Sequence, residues 1–173
     1  RRMLITCREH HLTPIVTYHH FTSPRWFAAK GGWEVEANAE YFARYCERVT
    51  AHLGDLIGGA CTLNEPNLGI MLQQMGFAPK DEDVVRAPFR AAAAKAVGSE
   101  TFSAFPVCCV QGKARDTFLK AHRMAFEAIK AGRGDFPVGM TLALSDQQAV
   151  PGGEARRDAA RREMDDVFLD AAK

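Results

Sequence analysis

A carboxylic acid stands directly before a proline in the segment Thr62–Pro66, which reads TLNEP. The residues Ala60 to Leu63 form a short apolar run that is typical of a β-strand. Because proline cannot donate a hydrogen bond to a sheet ladder, the strand must end here, which places Asn64 and Glu65 at its C-terminal end. In parallel α/β sheets and barrels, catalytic side chains lie at that end. Glu65 is therefore either a carboxylate that caps the next helix or a working acid.

Histidines are the second group of residues that suits chemistry. His20 follows a β-branched run at residues 14–18 and begins a loop, with His19 beside it. Three interpretations of His20 stay open: a structural loop residue, a ligand contact, or a metal ligand together with His19, His10 and His11. Metal sites on helices use pairs spaced i, i+4, as in HExxH, and the sequence has no such pair. We therefore predict neither a metal nor a cofactor.

Composition restricts the class of protein. The 173 residues are 47% hydrophobic and 25% charged, which is typical of a globular chain large enough for one core. The formal net charge of +1 gives no electrostatic reason to expect nucleic acid or an anionic membrane as a partner. No apolar stretch approaches the roughly 20 residues that span a bilayer. The five cysteines lack CxxC spacing, and no signal-peptide pattern is visible, so we expect a cytoplasmic protein.

Alternating periodicities predict the elements that position these residues. Strands are predicted near residues 14–19, 59–64 and 137–143. Helices are predicted at residues 34–53, 67–75, 82–97, 114–131 and 154–172. Strands that alternate with helices of this length indicate βαβ units, hence an α/β fold with a parallel sheet in sequential strand order and helices packed on one side.

The same periodicities predict where particular side chains lie. Pro88 belongs near the first turn of its helix, because a proline in a helix interior costs about 3 kcal/mol. His122 lies on an apolar helix face, so we interpret it as a hydrogen-bonded core histidine. On the last helix, Arg161 and Asp165 are spaced i, i+4 and are predicted to pair on the exposed side.

An ordered set of motifs resembles one enzyme family. The set comprises, in chain order, the strand PIVTY followed by His20, Pro24-Arg25-Trp26, Gly31-Gly32-Trp33, TLNEP, Gly76-Phe77-Ala78-Pro79 and the strand Val138 to Leu142. Over essentially its whole length the chain resembles the middle of a glycoside hydrolase family 1 enzyme of the β-glucosidase type. The resemblance implies that residues 1–173 are the central part of a (β/α)8 TIM-barrel catalytic domain in which TLNEP ends the fourth strand.

The resemblance also implies roles for the site residues. Glu65 is expected to be the general acid/base, Asn64 to hydrogen-bond the sugar 2-hydroxyl, and His20 to hydrogen-bond another hydroxyl of the same sugar. Phe21 stands where the family usually has a tryptophan that contacts the substrate. Retaining hydrolysis by double displacement needs one carboxylic acid to protonate the leaving oxygen and a second carboxylate about 5–5.5 Å away as nucleophile.

The family's nucleophile segment, Ile/Val-Thr-Glu-Asn-Gly, has no counterpart in this sequence. We therefore expect a fragment that spans strands three to five of the barrel and is inactive alone. The expected partners are a β-glucoside or a related small sugar and, through open strand edges, the rest of the barrel or a second copy of the chain. The alternative interpretation is a non-catalytic sugar-binding or assembly half-barrel that needs a partner chain.

Overall fold

The computed structural model describes residues 1–76, 82–105, 109 and 111–172, in which strands alternate with helices. The strands are β1 (Ile15–His19), β2 (Gly59–Asn64) and β3 (Val138–Thr141). The α-helices are α1 (Arg2–Glu9), α2 (Arg25–Ala29), α3 (Ala39–Leu53), α4 (Leu68–Gln74), α5 (Glu82–Val97), α6 (Gln111–Lys130), α7 (Glu154–Arg161) and α8 (Val167–Ala171). Two 3-10 turns, Gly32–Glu34 and Glu36–Asn38, precede α3, and a π-helical turn, Arg162–Asp166, joins α7 to α8.

The three strands form one parallel sheet in the order β1-β2-β3. Ile15 lies opposite Gly59, and Ala60 lies opposite Val138. The register between β2 and β3 shifts between Cys61 and Asn64, just before β2 ends. The predicted strands, their parallel direction and their sequential order are confirmed.

The two faces of the sheet differ in what covers them. Val16, Ala60 and Val138 lie side by side and pack into the core formed with α3 and α6. On the opposite face, a Cβ added at Gly139 would meet no atom within 4 Å. Ile15, at the start of β1, is 71% exposed. Helices thus cover one face, as predicted, and the other face is open at Ile15 and Gly139.

An aromatic cluster forms the centre of the core and explains the glycine pair before Trp33. The Trp33 ring is 4.9 Å from Phe118 and 5.4 Å from Phe42, between centroids, and is 2% exposed. Gly32 has a φ of +50°, and a Cβ there would lie 2.3 Å from the Ser103 carbonyl oxygen. Only glycine fits this close approach, which lets the turn place Trp33 between α3 and α6.

One predicted helix start and the predicted place of Pro88 are wrong. The helix predicted from residue 34 begins at Ala39, because the preceding residues form 3-10 turns that Asn38 stabilises. The Asn38 Nδ2 donates to the carbonyls of Lys30 and Gly32 at 3.2 and 2.8 Å. Pro88 lies inside α5 rather than in its first turn, since α5 begins at Glu82. Acidic residues at 82 and 83 favour a helix N-terminus at that point.

The predicted exposed pair on the last helix is also wrong. Asp165 is 6% exposed, and Arg161 pairs instead with Asp166 at 3.4 Å. Both acidic residues lie in the π-helical turn, whose wider winding changes which residues face the core. Burial and the neighbouring Asp166 raise the pKa of Asp165. Of the predicted turn at residues 76–79, only Gly76 lies within the described residues.

Candidate active site

Glu65 occupies a tight turn immediately after β2. Its φ is +45°, a left-handed conformation that non-glycine residues rarely adopt. The Glu65 N–H donates to the Thr141 carbonyl at 2.9 Å, so the residue is still tied to β3, whereas its own carbonyl accepts from the Leu68 N–H at 3.0 Å. Pro66 is buried and has no N–H to continue the ladder. The chain therefore leaves the sheet at Glu65, at the C-terminal edge.

The Glu65 carboxylate does not cap the next helix. α4 begins at Leu68, its N-cap residue is Asn67, and no described side chain forms a cap hydrogen bond there. No described residue hydrogen-bonds to the partly buried carboxylate of Glu65. Backbone strain and a carboxylate without a hydrogen-bond partner at a strand end are both common at catalytic positions.

Asn64 is oriented by a residue of the neighbouring strand. The Thr141 hydroxyl donates to the Asn64 Oδ1 at 2.8 Å. This bond fixes the direction of the amide group, because only the amide oxygen can accept a hydrogen bond. The Nδ2 of Asn64 has no acceptor among the described residues and is available to donate to a ligand hydroxyl.

The two adjacent histidines at the end of β1 have different surroundings. His19 is 7% exposed, its Nε2 lies 3.2 Å from the Ser23 hydroxyl, and its ring lies edge-on to Trp33 at 5.0 Å. Burial, with a smaller contribution from His20, lowers the pKa of His19 to about 4, so its ring is neutral near pH 7. His20, in contrast, is exposed beyond the strand end. Since His19 lies opposite Leu63 in the sheet, His20 leaves it at the same edge as Asn64.

Phe21 adopts the same unusual backbone conformation as Glu65. Its φ is +66°, and the described part of the chain has only one further non-glycine residue with a positive φ, His11. The partly buried Phe21 ring lies 4.9 Å from His20 and 5.4 Å from the buried Phe105. Left-handed residues thus follow both β1 and β2 and turn the chain at the C-terminal edge of the sheet.

Two supporting groups had not been predicted. Asn67 is fully buried, and its amide hydrogen-bonds to both backbone groups of Ala143. The Thr62 hydroxyl donates to the Gly139 carbonyl at 3.3 Å and lies 2.7 Å from the His122 Nδ1. His122 is buried and has this hydroxyl as its partner, which confirms the predicted hydrogen-bonded core histidine, and burial lowers its pKa. The sequence pattern predicted the face on which His122 lies but carried no information about partners some 60 to 77 residues away.

Neither a metal-binding group nor a membrane-spanning helix is present among the described residues. Within the residues that the structure describes, no group of three His, Cys, Asp or Glu side chains is arranged to hold a metal ion. None of the described helices is long and apolar enough to cross a membrane.

Sequential parallel strands with helices on one face are the arrangement found in part of a (β/α)8 barrel. The model of glycosyl hydrolase family 1 matches residues 1–171, and the chain belongs to this family. Thermostable beta-glucosidase B of Thermobispora bispora is 30% identical over 167 residues. Cytosolic beta-glucosidase of Homo sapiens is 38% identical over 69 residues, which are 39% of this chain and 15% of that enzyme.

Solved structures confirm the predicted barrel fold. The beta-glycosidase BGL167 has a TM-score of 0.88 and 50% identity over 99% of this chain and 42% of its own chain. The beta-glucosidase 1317 also has a TM-score of 0.88, with 39% identity over 98% of this chain and 42% of its own. The match to the Thermobispora bispora enzyme covers 94% of this chain but 29% of that protein. The chain thus spans less than half the length of these relatives.

Proposed function

We propose that this chain is the acid/base-carrying part of a retaining β-glycosidase that hydrolyses terminal β-linked sugars by double displacement. Glu65 protonates the departing oxygen in the first step and activates water in the second. Asn64 donates its Nδ2 to the sugar 2-hydroxyl, and His20 hydrogen-bonds another hydroxyl of the same sugar. Phe21 supplies an aromatic contact at the strand edge. The nucleophile comes from another segment of the complete barrel.

The observation that carries the proposal is the geometry of Glu65. A carboxylic acid in a left-handed turn, anchored by its N–H to the Thr141 carbonyl, has no hydrogen-bond partner for its side chain in the described part of the chain. Beside it, the Asn64 amide is already oriented by the Thr141 hydroxyl. A proton donor next to a fixed, neutral hydrogen-bond donor suits cleavage of a glycosidic bond. The β-glucosidase relatives support a β-glucoside as substrate.

The test is Glu65→Gln in the full-length enzyme that contains this chain. We expect kcat/KM for an alkyl β-glucoside to fall about 100-fold or more, because its leaving oxygen needs a proton. For dinitrophenyl β-glucoside, whose leaving group departs without a proton, kcat/KM should fall much less. Steady-state kinetics on both substrates measures this difference.

Glu34→Gln is the matched control. Glu34 is also a mostly buried carboxylate, but it pairs with Arg90 at 3.1 Å and accepts from the Ser103 hydroxyl at 2.8 Å. Glu34→Gln should lower the stability of the enzyme and change kcat/KM for the two substrates by the same factor. Equal losses on both substrates in Glu65→Gln would refute the acid/base assignment.

A further inference from the structure

The ladder between β2 and β3 ends in an unusual way at Glu65. In a regular parallel ladder, the residue whose N–H bonds to the carbonyl of residue 141 accepts, through its own carbonyl, from the N–H of residue 143. Glu65 makes the first of these bonds, to Thr141 at 2.9 Å, but not the second. Its left-handed turn directs its carbonyl to the Leu68 N–H instead. The backbone groups of Ala143 must therefore find other partners, because unpaired buried backbone groups are costly.

The side chain of Asn67 supplies those partners. Its Oδ1 accepts from the Ala143 N–H at 3.0 Å, and its Nδ2 donates to the Ala143 carbonyl at 3.0 Å. The same Nδ2 donates to the carbonyl of Met164, in the π-helical turn, at 3.1 Å. Asn67 is 0% exposed, so its side-chain amide is shielded from water. One amide side chain thus bonds the Ala143 N–H that the turn at Glu65 leaves without its ladder partner, and it also bonds the Ala143 carbonyl.

These bonds connect the turn to two separate parts of the fold. Glu65 and Asn67 flank Pro66, and both are bonded to the three residues 141–143, where β3 ends: Glu65 bonds to Thr141 and Asn67 to Ala143. The bond to Met164 adds the last helical segment as a second support. Without Asn67, an extended Glu65 that pairs with the Ala143 N–H becomes the competing conformation, and its side chain would point in a different direction.

We propose that Asn67 is a positioning residue for the acid/base: its amide completes the β2–β3 ladder in place of backbone and so holds Glu65 in the left-handed turn. This inference rests on the proposed function of Glu65. Because Asn67 is buried and its amide is fully bonded, it acts on the reaction through Glu65 and not by contact with the sugar.

The test uses Asn67→Ala and Asn67→Asp in the full-length enzyme that contains this chain. Alanine removes all three bonds, whereas aspartate keeps the shape but places an oxygen against the carbonyls of Ala143 and Met164. The readout is the ratio of kcat/KM for dinitrophenyl β-glucoside to kcat/KM for an alkyl β-glucoside. This ratio does not depend on the fraction of folded enzyme, so a poorly folding variant still gives a valid result. A displaced acid should raise the ratio about tenfold or more in both variants.

Asn38→Ala is the matched control. Asn38 is 4% exposed and also donates its amide to two backbone carbonyls, but it lies in the 3-10 turn before α3. Asn38→Ala should lower the melting temperature and leave the ratio of the two kcat/KM values unchanged. An unchanged ratio in the Asn67 variants, or an equal rise in Asn38→Ala, overturns the inference. Glu65→Gln, measured beside them, separates the two proposals: no rise there refutes the function of Glu65 itself, whereas a rise there alone refutes only the role of Asn67.

Discussion

His19 makes the stability of this fold sensitive to acid. The ring is 7% exposed, lies between Trp33 and Phe42, and has a pKa lowered to about 4 by burial. In the unfolded chain the pKa of histidine is about 6.5. Below about pH 6.5 the unfolded chain therefore binds a proton that the folded chain does not bind. The stabilisation from neutral His19 is fully present above that pH and is lost as the pH falls toward about 4. The loss between these two pH values is about 3 kcal/mol.

The adjacent histidines provide a matched pair of variants. We expect His19→Gln in the full-length enzyme to be less stable than the wild type near neutral pH, because the packing against Trp33 is reduced. Its melting temperature should nevertheless change less between about pH 6.5 and 4, since the titrating group is gone. His20→Gln removes an exposed ring and should keep most of the wild-type slope. Only the small effect of the His20 charge on His19 is lost.

Differential scanning calorimetry across this pH range measures the three slopes. Other carboxylates and histidines contribute to each slope equally, so the difference between variants isolates His19. A wild-type slope in His19→Gln, or a flattened slope in His20→Gln alone, would refute the assignment of the buried, neutral histidine.

Two further predictions concern the core and the chain by itself. Thr62→Val leaves the buried His122 Nδ1 without its partner at 2.7 Å, so it should lower the free energy of unfolding by about 1–3 kcal/mol. An unchanged melting temperature would contradict this prediction. Residues 1–173 expressed alone should be inactive and should not stay a folded monomer, because the open part of the sheet leaves apolar residues such as Ile15 (71% exposed) in water. Size-exclusion chromatography with light scattering tests this, and a monodisperse monomer with a cooperative thermal transition would contradict it.

Local patterns predicted the strands and the position of Glu65. The β-branched run before His20 and the proline after Glu65 each act within a few residues, so they could be interpreted from the sequence alone. The start of α3 could not, because Asn38 stabilises the preceding turns through carbonyls six and eight residues earlier. The burial of Asp165 depends on a π-helical turn for which the sequence carries no recognised pattern.

The hydrogen bonds that orient the site residues depend on strand register. Asn67 and Thr141 act through bonds between residues 76 and 77 positions apart along the chain. Those bonds exist only because β2 and β3 pair in one particular register with a shift before Asn64. Neither residue has a neighbour in sequence that indicates its partner, so the residues that orient the acid and the amide required the structure.

In the proposed mechanism Glu65 acts twice, as acid in the first step of double displacement and as base in the second. The most direct test mixes full-length Glu65→Gln enzyme with dinitrophenyl β-glucoside and follows both the released dinitrophenol and the intact mass of the protein. The first step needs no proton for this substrate, but the second lacks its base. We therefore predict a burst of about one dinitrophenol per enzyme, followed by slow turnover, with the protein carrying one covalently bound sugar. Steady release of dinitrophenol without a burst, and a protein of unchanged mass, would contradict the double role of Glu65.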